Sequence, residues 1–115
     1  MAKQTQEIPP ERWPAYLNQI GELYQGWAVS IEVMGRDIGD QPAADNLPLQ
    51  GLSFETGDIL ISAGNQAAYL THHVDHPRSV RAADLTPGTE TDIQIEADDG
   101  TTTIVHLRRQ RELPA

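Results

Sequence analysis

The stretch Gly26-Trp27-Ala28-Val29-Ser30-Ile31-Glu32-Val33-Met34-Gly35 constrains the fold more than any other part of the chain. Trp27, Val29, Ile31 and Val33 fall on one side of an extended backbone, and Ala28, Ser30, Glu32 and Met34 on the other. A period of two in β-branched and aromatic residues predicts a half-buried strand with its odd-numbered side chains turned inward. A glycine bounds each end. Such a strand needs an apolar partner, and the segment before it supplies one.

Trp13, Leu17, Ile20 and Tyr24 follow the i, i+4, i+7, i+11 spacing of a helix face, and Tyr16 and Leu23 widen that stripe. Pro14 is tolerated only in a first turn, which places the helix start near Glu11, and Gly26 suits a left-handed C-terminal cap. The helix is expected over about residues 11–25, with the following strand as its partner. Gly21, without a side chain, is expected to let it lie close against the sheet. Residues 1–7 and 110–115 are expected to fray.

Strand and turn signals fill the rest, from about 27 to 109. Residues 35–46 are polar and rich in turn formers and read as a long loop. In Leu47-Pro48-Leu49-Gln50-Gly51-Leu52-Ser53-Phe54-Glu55 the apolar residues change parity at Gly51, which predicts a bulge, and Pro48 predicts an edge position. Glu55-Thr56-Gly57-Asp58 reads as a tight turn, followed by strands at 59–63, 67–76 and 78–82. The last hairpin, 91–97 with 101–108, has two registers. A three-residue Asp98-Asp99-Gly100 loop pairs Ile93 with Val105 and leaves His106 outside; a two-residue loop buries the histidine. The first is preferred, because it gathers Ile93, Ile95, Val105 and Leu107 on one face. The fold class is therefore α+β in a single domain. Its N-terminal helix packs on a curved, mostly antiparallel sheet or a small, partly closed β-barrel of Sm-like or SH3-like outline.

Several stretches taken together, Ile8-Pro9-Pro10-Glu11-Arg12-Trp13, the 26–35 strand, Leu47-Pro48-Leu49-Gln50-Gly51, residues 70–77 and residues 95–104, resemble a family of small bacterial proteins of unknown function. The resemblance implies a bacterial, soluble, single-domain protein and carries no activity, cofactor or site with it.

Function classes can be narrowed from charge and residue types. The 115 residues carry 17 acids against 8 Lys and Arg, a net charge of −9, which repels phosphate backbones and anionic lipid. DNA is therefore not an expected partner, and RNA is disfavoured. The absence of cysteine and of any apolar run of about 20 residues points to a soluble cytoplasmic protein without a membrane partner. Arg78, Arg81, Arg108 and Arg109 form a candidate anion patch, the basis of an RNA-binding alternative.

His72, His73 and His76 cluster around Asp75 and are the candidate metal ligands, together with His106. In a regular strand His72 and His76 stand roughly 13 Å apart, too far to share a zinc ion bound at about 2.0–2.1 Å. His73 and Asp75, at i and i+2, share a face and can supply part of a site completed from elsewhere. A metal-dependent enzyme built on this cluster is the alternative reading. No nucleophile elbow, phosphate loop or EF-hand spacing is present, so no catalytic residue and no cofactor are assigned. The preferred reading is a non-enzymatic binding or assembly module acting on a second copy of itself or a protein partner.

Overall fold

A computed structural model describes residues 5–35, 39–65, 69–83 and 89–109. A short strand β1 (Thr5–Ile8) leads through a 3-10 turn at Pro10–Arg12 into helix α1 (Trp13–Leu23). Seven strands follow: β2 (Ala28–Gly35), β3 (Gly39–Glu55), β4 (Asp58–Gly64), β5 (Tyr69–Val74), β6 (Pro77–Ala83), β7 (Thr91–Ala97) and β8 (Thr102–Arg108). All pair antiparallel in one sheet of order β1-β6-β7-β8-β2-β3-β4-β5. The fold is α+β. The sheet is open rather than closed into a barrel, with β1 and β5 as its terminal strands. The chain passes straight from β5 into β6, two strands at different places in the sheet, and His76 between them accepts a backbone hydrogen bond from Asp98.

The alternation in β2 sets the core. Val29 and Ile31 are fully buried, and Trp27 and Val33 pack against the core from its rim. Trp27 is thus not central: it is half-buried, with its ring edge-on to Tyr24 at 4.8 Å and the Arg109 guanidinium 5.9 Å from its centroid. Ala28, expected on the outer side, is buried as well. Leu17, Ile20, Leu49, Ile59, Ile61, Val80, Ile93, Ile95, Val105 and Leu107 complete the interior.

The helix docks chiefly on β3, not on the strand that follows it. The physical reason lies in Gly21, where a Cβ would stand 3.2 Å from the Leu52 backbone nitrogen. The bare α-carbon lets the helix settle against β3, and Trp13 meets Phe54 edge-on at 5.7 Å. The change of parity along β3 is the expected bulge: Leu49 pairs with Ala63 but Gly51 with Ser62. Both Leu49 and Leu52 are thereby buried.

Two segments differ from their sequence reading. Thr5, Gln6 and Glu7 belong to β1, paired with Ala83, Ala82 and Arg81, although they carry no apolar alternation. Gly39–Asn46, read as loop, is the first half of β3 and pairs with β2. Backbone pairing needs no apolar alternation, so a polar edge ladder leaves little trace in the side-chain pattern. The C-terminal residues 110–115 lie outside the described residues.

The last hairpin takes the preferred register, Ile93 with Val105 and Ile95 with Thr103. In the β3–β4 turn both central residues have positive φ, Thr56 at 50° and Gly57 at 86°, as a two-residue hairpin turn demands. Threonine is β-branched and strained there. Thr56→Asn, which gives the favoured Asn-Gly pair, is expected to raise stability by about 0.5–1 kcal/mol in urea denaturation.

Candidate functional site

Asp58 opens β4, and His73 and Asp75 lie at the end of β5. The β4–β5 register pairs Ile59 with Val74 and Leu60 with His73. Ile59, Ile61 and Val74 point into the core, so Asp58 and His73 share the opposite, outer face, and Asp75, the residue after β5, stands beside them. One ligand atom from each lies within 4.8 Å of the other two. The Asp58 carboxylate is positioned by the His76 backbone N–H, which donates to Oδ1 at 3.3 Å. His76 adopts φ 51°, a left-handed corner where the chain turns into β6, and its side chain is exposed.

Of the sequence candidates, the structure therefore joins His73 and Asp75 and adds Asp58, a residue that sequence reasoning missed. His72, His76 and His106 stand outside this set. A signal for Asp58 existed: once the 56–57 turn and the β4–β5 hairpin are in register, its parity matches that of His73 and Asp75. Beside the set lies a shallow cavity of about 130 Å³ lined by Val33, His72, His73, Asp75, Asp99 and Thr103, among others.

His72 faces the other way and is half-buried. Burial, and secondarily the charge of His73, push its pKa below the ordinary histidine value. Its unfolded form therefore binds a proton more readily than its folded form. Stability is fully present above the ordinary value of 6.5 and is lost as pH falls through the depressed folded value. Thermal melts between pH 7.5 and 5.5 are expected to show a smaller acid-side decline in His72→Gln than in the native chain.

His106 sits on the outer face of β8 between two acids, with Asp92 directly opposite on β7 and Glu32 diagonal on β2. Nδ1 lies 2.8 Å from Asp92 Oδ1 and Nε2 2.6 Å from Glu32 Oε1. Carboxylates only accept, so both contacts are hydrogen bonds when each ring nitrogen carries a proton. Arg108 also pairs with Asp92, at 2.9 Å. Burial alone would raise the Asp92 pKa, but the hydrogen bonds from His106 and Arg108 outweigh it and hold the carboxyl below its usual value. Glu32 and Asp92 were not singled out in the sequence; the period-two parity across three neighbouring strands is the signal that places them.

The candidate anion patch is spread over the sheet. Arg78 pairs with Glu96 at 3.7 Å, Arg81 with Glu7 at 3.4 Å and Arg108 with Asp92, while Arg109 lies over Trp27. Each of the three ion-paired guanidiniums thus has a carboxylate within reach before any phosphate arrives.

The fold defines a small α+β domain, one short helix on an open eight-stranded antiparallel sheet. The chain belongs to DUF5335, a family of unknown function, whose profile matches residues 4–115. It is similar to an uncharacterized protein of the bacterium Aquifex aeolicus (strain VF5), 27% identical over 110 residues, covering 96% of this chain and 97% of that protein. No solved structure matches. No described helix is long and apolar enough to cross a membrane.

Proposed function

We propose that this domain is a non-enzymatic cytoplasmic assembly module that pairs with a second copy of itself through the edge of β5, which has no further strand partner among the described residues. The observation that carries this reading is the character of that edge. β5 ends the sheet, and its sequence Tyr69-Leu70-Thr71-His72-His73-Val74 contains no lysine, acid, proline or glycine. Edge strands of monomeric proteins are ordinarily guarded by such residues or by bulges, because their unpaired N–H and C=O groups recruit other strands. Tyr69, 63% exposed, is the most exposed large apolar side chain among the described residues and stands at the start of this strand. Two copies of one edge meet antiparallel about a two-fold axis, a closed arrangement.

Sedimentation velocity over a range of protein concentrations tests the proposal. A reversible dimer is expected, shifted to monomer by Tyr69→Lys, a surface change that leaves the fold intact. A monomer at every concentration, or a dimer indifferent to Tyr69→Lys and to a second charge at Thr71, would overturn it.

A further inference from the structure

The outer face of the β4–β5 hairpin carries a donor set that edge pairing does not use. We infer that Asp58, His73 and Asp75 bind one divalent transition-metal cation, at a site that goes beyond the assembly reading and does not depend on it.

The argument is one of placement and chemistry. Two strands of one hairpin, locked in register by the buried Ile59, Ile61 and Val74, bring an imidazole and two carboxylates together, with donor atoms within 4.8 Å. Around a zinc-sized ion with bonds of about 2.0–2.2 Å, ligand atoms stand roughly 3–3.5 Å apart. Side-chain torsions of two exposed residues, His73 and Asp75, and one half-buried residue, Asp58, close that difference without moving the backbone. The His76 N–H on Asp58 Oδ1 orients the carboxylate as an outer-shell donor does in metal sites. An imidazole in the set favours zinc, cobalt, nickel or iron over calcium and magnesium, which prefer oxygen alone. Three protein ligands leave positions for water, and the cavity beside His73 and Asp75 has room for it.

The other titratable cluster cannot do the same. The two nitrogens of His106 face different carboxylates on opposite sides of the ring, so Asp92 and Glu32 do not converge on one ligand atom.

Zinc chloride titrated calorimetrically into the full chain, purified without a histidine tag at pH above the histidine range, provides the test. One ion per chain is expected, with affinity at least about tenfold weaker in His73→Ala and in Asp58→Asn and unchanged in His72→Ala and His106→Ala. Amide shifts on adding zinc to the native protein give a second readout, expected to centre on residues 58, 73 and 75. Absence of saturable uptake, uptake that His73→Ala leaves intact, or shifts centred elsewhere (an adventitious ion only) would overturn the site. Sedimentation of the same variants separates its failure from failure of the assembly reading.

Discussion

Replacing Trp13 by alanine is expected to cost about 3–5 kcal/mol, the largest single-site loss in the molecule. The indole is 4% exposed, meets Phe54 edge-on and donates from Nε1 to the Ile8 carbonyl at 2.8 Å. It therefore ties three elements together: α1, the end of β1 and the far half of β3. Alanine leaves a cavity between helix and sheet and also strips the Ile8 carbonyl of its donor. Trp13→Phe separates the two effects. It keeps most of the packing and loses the hydrogen bond, so a smaller cost of about 1–3 kcal/mol is expected. Urea denaturation followed by circular dichroism measures both. Equal losses in the two variants would mean that the ring's packing contributes little.

The second large effect contrasts neighbouring parities of β2. Ile31→Ala removes a fully buried side chain from the strand between β3 and β8 and is expected to cost about 2–5 kcal/mol. Met34→Ala, three residues on and facing the other way, is half-buried and is expected to cost less than about 1 kcal/mol. The ratio of the two matters more than either value, because chain-wide errors in extrapolated stability cancel between them. Comparable losses would place both faces of the strand in apolar surroundings.

The elements read most clearly from sequence are those with one buried face. The inward set of Ile93, Ile95, Val105 and Leu107 fixed a hairpin register, because a slip by one residue would have buried His106. The helix stripe and the parity change at Gly51 were legible for the same reason. Residues 39–46 and 5–7 were not, since their pairing is made by backbone groups that every sequence carries. Proximity in the chain misdirected the docking of α1. The helix packs on β3 rather than on β2, with Gly21 against the Leu52 backbone, and nothing local announces a partner 31 residues away. The candidate site divides along the same line. His73 and Asp75 stand two residues apart in the chain and are paired from local spacing, whereas Asp58 joins them only through a hairpin register. The Glu32–His106–Asp92 arrangement depends on three strands at once and lay beyond local reading.

The docking of α1 on β3, with Val29 and Ile31 of β2 turned into the same core, is the claim on which the architecture rests. Nuclear Overhauser contacts in the isotope-labelled protein test it most directly. Cross-peaks are expected from the Trp13 indole to the Phe54 ring and from the Gly21 α-protons to the Leu52 amide. Their joint absence, with the Val29 and Ile31 methyls exchanging contacts with water instead, would contradict the architecture.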